Sequence, residues 1–363
     1  MSAHTILIMA GGTGGHVFPG LAVADYLRQA GWRVVWLGTE AGMELKLVPQ
    51  RGYETEIISF SGLRGKRLVT WLLLPLRLLK AFWQSLRIIQ RVKPDVVLGM
   101  GGYPAFPGGM MASLLNKPLV IHEQNSVAGL TNKILAKLAD KIFLGFPGAI
   151  RSDQNKTVCS GNPVRSEIAR IEAPEKRFQE RQGKLNVLVV GGSLGAQVLN
   201  TVVPQALKLL PENTRPAVVH QTGTAQMETV KAAYQALQLD GEVTAFIDDM
   251  AKRYADCDVV LCRAGALTVA ELSAAGVASI LVPYPHAVDD HQTGNAQFLS
   301  RHGAAVLLPQ HELTAQKLAD LLTDLTREKL LGMAMAARSQ AKLEATRIVA
   351  EGCIELSGAL HEA

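Results

Sequence analysis

Aromatic residues make up only 5% of this 363-residue chain, and cysteine occurs four times. Cys159, Cys257, Cys262 and Cys353 are scattered without metal-ligand spacing, so they read as reduced, mostly buried thiols. Long apolar spans are also scarce. In the stretch from Gly65 to Lys93, "GKRLVTWLLLPLRLLKAFWQSLRIIQRVK", the longest uncharged run is Leu68 to Leu76. That falls far short of the roughly 20 residues a membrane-spanning helix needs. The N-terminal run Thr5 to Ala10 is too short for a secretory leader, lacks a basic flank and runs into glycines, so a cytoplasmic protein is expected. Charge is modest, with a net excess of +5. Such an excess suits nucleotide phosphates, anionic lipid or nucleic acid and does not choose among them.

Glycine and aliphatic residues are plentiful, with 33 glycines and 48% hydrophobic content, and the length favours two domains. Short apolar runs ending in glycine recur, among them "TILIMAGG", "PDVVLGMGG", "NVLVVGGS" and "CDVVLCRAG". Several precede segments with helical periodicity, such as "VFPGLAVADYLRQAG". Buried strands alternating with amphipathic helices imply parallel α/β sheets. The strand, double glycine, helix pattern starts at Ile6 and again at Val187, with a charged, proline-bearing connection from 160 to 184. Two Rossmann-like domains are expected, with ligands bound outside the carboxyl ends of their strands.

Glycines at a strand-to-helix turn admit a ligand to the backbone, and the helix start attracts anions. The first loop, Gly11 to Gly15, departs from the dinucleotide pattern, because Val17 occupies the third glycine position. Tight strand-helix packing is its alternative explanation. His16 lies at the expected helix start, where the dipole favours a neutral imidazole able to accept a proton. In "GGSLGA", Ser193 offers a hydroxyl to a phosphate. In "RAGALTVAEL", Ala266, Leu267 and Thr268 open a helix, and Glu271 follows one turn on, placed either to bind ribose hydroxyls or to form a capping box with Thr268. The segment 283–299 gathers His286, Asp289, Asp290, His291, Gln292 and Asn295, a cluster suited to sugar hydroxyls, to a divalent metal or to capping of the next helix. In the 65–93 stretch, Leu72, Leu76, Leu79 and Trp83 share one helical face, while Arg77, Lys80, Arg87 and Arg91 lie elsewhere. That face either packs on its own sheet or lies on anionic lipid.

The motifs "GGTGGHVFP", "GLRGK", "LGMGGY", "HEQN", "GNPVR", "GGSLGA", "CRAGALTVAEL" and "HAVDDHQ" appear in this order over nearly the whole chain. Together they resemble the MurG family of bacterial peptidoglycan glycosyltransferases. The resemblance implies an α/β fold of GT-B type, two Rossmann-like domains with parallel sheets facing across a cleft. It implies an acceptor and membrane-associating domain at 1–163, a UDP-N-acetylglucosamine donor domain at 164–339, and a C-terminal helix within 340–363 that packs back on the first. The implied reaction is an inverting transfer of N-acetylglucosamine to a lipid-linked muramyl-pentapeptide at the cytoplasmic face of the inner membrane. An anionic membrane surface and cell-wall or division proteins are the implied partners, with no nucleic acid, no resident metal and no cofactor.

Carried over by motif, the donor residues are Thr13, Gly14, Gly15, Asn125, Arg165, Ser193, Ile247, Ala266, Leu267, Thr268, Val269, Ala270, Glu271 and Gln292. Gly101, Gly102 and Tyr103 are the acceptor residues, and His16 is the base, ahead of Glu123 and Asp290. The loop "GGYPAFPGG" departs from the family pattern in carrying Phe106 at a small position. Three other functions stay open at this point: a nicotinamide-dependent oxidoreductase, a UDP-N-acetylglucosamine epimerase of similar build, and a non-catalytic sugar-nucleotide sensor.

Overall fold

Apolar runs without polar alternation need cover on both faces, and the structure, a computed structural model describing residues 4–60, 73–192 and 195–358 apart from the side chain of Val288, provides it. Contacts divide the chain into two units, Met1–Arg165 with Leu343–Ala363, and Ser166–Lys342. The first holds β1 (Thr5–Ala10), β2 (Arg33–Thr39), β3 (Glu54–Ile58), β4 (Val96–Gly101), β5 (Leu119–Glu123), β6 (Lys141–Leu144) and β7 (Thr157–Val158). They form one parallel sheet in the order β3-β2-β1-β4-β5-β6-β7. The strand order reverses direction between β1 and β4, the switch point at which doubly wound sheets bind ligands.

Alternate residues of each strand serve opposite faces. Ile6, Ile8, Trp36 and Leu98 pack under the helices Gly14–Gln29 and Ala345–Leu356. Leu7, Met9, Leu37 and Ile121 face the helices Leu74–Val92 and Ala105–Leu114. The helix Ala345–Leu356 thereby completes one face of the first sheet, and Lys141 pairs with Glu355 at 2.5 Å. Pairing between β1 and β4 shifts after Met9, so that Met9 faces Gly99 and Ala10 faces Gly101. Met100 is skipped by that ladder, an irregularity of the kind that re-aims groups near functional sites.

The second unit repeats the plan with β8 (Asn186–Val190), β9 (Ala217–Gln221), β10 (Glu242–Thr244), β11 (Val259–Cys262), β12 (Ala278–Leu281) and β13 (Ala305–Leu307). The parallel order is β10-β9-β8-β11-β12-β13, with its switch point between β8 and β11. Val187, Val189, Leu261 and Ile280 meet Leu199, Val203 and Leu207 of the helix Gln197–Leu209. Cys257, Cys262 and Cys353 are buried free thiols, while Cys159 is exposed.

Candidate active site

In the first unit, the loops after β1, β4 and β5 converge at neighbouring carboxyl ends. Thr13 is the extended N-cap of the helix Gly14–Gln29 and makes no side-chain cap. Two glycines let the second loop lie against the first. A Cβ on Gly102 would stand 2.2 Å from Gly11 O, and one on Gly101 would stand 2.9 Å from the His16 ring. Both have left-handed backbones, at φ +81° and +99°. Tyr103 is exposed beyond them. Past Tyr103 the chain turns directly into the helix Ala105–Leu114, where the Phe106 ring packs 5.8 Å from that of Phe82 on the helix Leu74–Val92.

His16 Nδ1 lies 3.0 Å from both Met100 O and Gln124 Oε1. The β1–β4 register shift thus leaves the Met100 carbonyl to accept from a side chain. Glu123, the second candidate base, is buried and fully committed. Its carboxylate accepts from the backbone N–H of Asn125 and Gly129 at 2.9 and 3.2 Å and from Asn132 Nδ2 at 2.9 Å. It shapes the loop bearing Asn125, whose own amide also donates to it. The "GNPVR" segment is tied to the same loop, with Asn162 Nδ2 donating to Gln124 O and His122 Nε2 donating to Gly161 O. Arg165 follows, half-buried.

The second unit presents a matching set of loops. Ser193 lies outside the described residues, but flanking positions show how its loop is held. Gln221 accepts from Gly192 N–H and donates to Gly192 O and Ala245 O, at 2.9 to 3.0 Å. This joins the glycine loop to the segment reaching Ile247, which is buried beside the exposed Phe246. The helix Ala266–Ala275 is capped by Gly265 without any side-chain bond. That arrangement excludes the capping box: Thr268 and Glu271 sit within the helix, and the opening amides take no side-chain cap. Glu271 is buried and accepts from Tyr254 O–H at 3.3 Å. Val269 differs from the rest of the run, since its side chain is in the core and its N–H donates to Gly265 O. Ala266 is buried, whereas Leu267, Thr268 and Ala270 are half-exposed.

The polar segment after β12 separates into distinct roles. Gln292 Oε1 accepts from Tyr284 N–H at 2.9 Å, which turns its Nε2 toward other partners. Asn295 is fully buried and donates to Ala264 O, so it supports the loop after β11 rather than offering itself to a sugar. Asp290, an exposed left-handed N-cap, makes no capping bond and accepts from Thr293 O–H. Among the described residues no group of three or more His, Cys, Asp or Glu is placed to hold a metal.

Three supporting residues escape sequence reasoning. Glu44, wholly buried, accepts from the N–H of Gly12 and of Thr39 and from the Thr39 hydroxyl, at 2.9 to 3.1 Å. Gln221 and Gln124 act similarly in their loops. No local pattern marks them, because the contact that ties each to its loop also reaches a partner tens of residues away: Gly12 for Glu44, Gly192 and Ala245 for Gln221, His16 for Gln124.

Two Rossmann-like units with glycine loops at their switch points make the GT-B architecture, and the family matched over both units makes this chain a glycosyltransferase. Residues 6–144 match the glycosyltransferase family 28 N-terminal domain and residues 186–351 its C-terminal domain, and the chain belongs to that family. A protein of Nitrosospira multiformis is 63% identical over 98% of this chain and 99% of its own length, and one of Nitrosomonas europaea is 62% identical over 98% and 100%. Both are named UDP-N-acetylglucosamine–N-acetylmuramyl-(pentapeptide) pyrophosphoryl-undecaprenol N-acetylglucosamine transferase. The crystal structure of Acinetobacter baumannii MurG superposes with a TM-score of 0.84 at 40% identity, covering 97% of this chain and 99% of that one. Within family 28 the chain is a member of the MurG group.

Proposed function

We propose that this enzyme moves N-acetylglucosamine from UDP-N-acetylglucosamine to a lipid-linked muramyl-pentapeptide. The observation that carries this reading is near-full-length identity above 60% to two transferases named for that reaction. The test is transfer of radiolabelled N-acetylglucosamine from the UDP donor to a lipid-linked muramyl-peptide analogue. Label appearing in the lipid product is expected. Tight donor binding without transfer would instead favour an epimerase or a sensor.

In the proposed chemistry, the acceptor hydroxyl oxygen bonds to the anomeric carbon as the carbon–oxygen bond to diphosphate breaks, its electron pair leaving with UDP. The hydroxyl proton passes to His16, and the configuration inverts. The first unit supplies this base and, through Gly101, Gly102 and Tyr103, the acceptor's diphosphate contacts, with Thr13, Gly14, Gly15, Asn125 and Arg165 assigned to the donor. The second supplies the Ser193 loop and the uncapped amides of Ala266 to Thr268 for the departing diphosphate. It also supplies Ile247 for uracil, Glu271 for ribose and Gln292 for the sugar. Support for the ribose role comes from the burial of Glu271, since a buried carboxylate deprived of a donor is costly. A 2′-deoxy donor is therefore expected to lose roughly 10-fold or more in kcat/KM. Equal use of both donors, measured in the transfer assay, would remove Glu271 from that role.

Membrane attachment is assigned to the helix Leu74–Val92. Leu72 and the start of the uncharged run lie outside the described residues. Leu76, Leu79 and Trp83 are 64%, 65% and 59% exposed, whereas Ala81, Ser85, Ile88 and Ile89 face the protein. The apolar stripe therefore points away from its own sheet. Lys80 and Arg87 are exposed beside it, and the Arg87 guanidinium lies 5.3 Å from the Trp83 ring centre. Among the described residues no helix is long and apolar enough to cross a membrane. The reading is peripheral binding to anionic lipid at the cytoplasmic face of the inner membrane. Co-sedimentation with anionic vesicles at low salt is expected to fall roughly 10-fold in Leu79→Ser/Trp83→Ser, from the loss of two exposed apolar groups that lipid would cover. Equal retention of wild type and variant would dismiss this surface.

A further inference from the structure

Beneath His16, a chain of hydrogen bonds runs from the loop after β5 to the "GNPVR" segment, and each link has one permitted direction. A carbonyl oxygen only accepts, so His122 Nε2, 3.0 Å from Gly161 O, carries a proton. Burial pushes the His122 pKa down to about 4, so at neutral pH its Nδ1 keeps a lone pair. Gln124 approaches that nitrogen at 3.1 Å through Nε2, its only donating group. The amide orientation is thereby fixed, and Oε1 is turned to His16 Nδ1 at 3.0 Å. Met100 O, at the same distance, is a second acceptor. Both partners of Nδ1 accept, so Nδ1 holds the hydrogen and the lone pair of a neutral His16 resides on Nε2.

We propose that Gln124 is a positioning residue that holds His16 in the Nδ1–H tautomer, and that His122 keeps the Gln124 amide facing the right way. The proposal rests on the reading of His16 as proton acceptor and names Nε2 as the atom that takes the proton. Its strength lies in burial. Gln124 is 1% exposed and His122 is 0% exposed, so water does not substitute for a missing partner. A flipped amide would set its NH₂ against His16 Nδ1–H and its oxygen against the His122 lone pair, two repulsive contacts replacing two attractive ones. The frame around the relay is also held. Asn132 Nδ2 donates to His122 O, Asn162 Nδ2 donates to Gln124 O, and Gly101 leaves room for the imidazole ring.

Two readouts on the full-length enzyme test this. The first is ¹⁵N NMR of the histidine side chains, assigned by comparison with His16→Ala and His122→Asn. At neutral pH, His16 is expected as the Nδ1–H tautomer, and a predominant Nε2–H form would overturn the relay whatever His16 does in catalysis. The second is kinetic. Gln124→Met is expected to lower kcat about 10-fold while the KM for UDP-N-acetylglucosamine changes by less than about 2-fold, because Met100 O still accepts from Nδ1. Gln124→Glu, which keeps an acceptor toward His16 but sets its second oxygen against the His122 Nδ1 lone pair, is expected not to restore kcat, and full activity in that variant would overturn the role given to His122. In a His16→Ala background, Gln124→Met should cause no further loss. A second 10-fold loss there would show Gln124 acting independently and overturn the relay. An undiminished kcat in His16→Ala alone would overturn the base assignment, a failure separate from an adverse tautomer.

Discussion

His16→Ala is expected to lower kcat by about 10² or more, with UDP affinity retained. The magnitude follows from losing a positioned base: without it, the attacking hydroxyl must release its proton to water as the new bond forms. Retained UDP affinity follows from the separate origins of the two functions. The base stands in the first turn of the helix Gly14–Gln29 in the first unit, whereas uracil, ribose and leaving-group contacts are assigned to the Ile247, Ala266–Glu271 and Ser193 regions of the second. Measuring single-turnover transfer beside UDP binding by calorimetry separates them. Robust transfer by the variant would move the base elsewhere. The geometry already weakens one substitute, since the contacts of Glu123 with Asn125, Gly129 and Asn132 hold its own loop. Asp290 would then be the remaining carboxylate to examine.

The second large effect is expected at Gly102. Gly102→Ala places a methyl group 2.2 Å from Gly11 O and 2.9 Å from Gly11 C, backbone atoms that have no flexible end to yield. It also forces a side chain onto a left-handed backbone. Strain and overpacking together are expected to cost about 2–5 kcal/mol of stability and to displace the His16 loop, reducing kcat roughly 10-fold or more. Gly12→Ala is the informative control. Its φ of +94° is also left-handed, but a Cβ there meets nothing within 4 Å, so only about 1–2 kcal/mol of backbone strain is expected. Urea unfolding of the two variants against wild type checks the difference. Equal destabilisation would mean that the first and second glycine loops are not locked together as the packing indicates.

Much of this organisation is legible in the chain itself. Unbroken apolar runs such as "TILIMA" and "NVLVV" require cover on both faces, and their alternation with helices leads to parallel sheets. The glycine loops declare themselves by composition, and the eight ordered motifs point to a family that the relatives bear out. The helix Leu74–Val92 shows the limit of periodicity. A leucine stripe has the same spacing whether it packs inward or outward, and only the placement of Ala81, Ser85 and Ile88 against the sheet turns Leu76, Leu79 and Trp83 outward. The S/T-x-x-E spacing of Thr268 and Glu271 misleads in the same way, because Gly265, three residues earlier, is the true N-cap.

By itself, then, the sequence determined the strand-helix alternation, the positions of the anion-attracting loops and the family, all of which depend on local periodicity, turn chemistry or contiguous motifs. Tertiary structure alone decided what each polar side chain does. Glu44 meets Gly12, Gln221 meets Ala245, and Gln124 bridges His122 to His16 through contacts set by strand order and register. Glu123 and His16 look equally suited to proton transfer as letters in a chain. Folding surrounds the first carboxylate with donors and places the second group's Nδ1 between two acceptors, because hydrogen-bond direction depends on which buried partners arrive from distant segments.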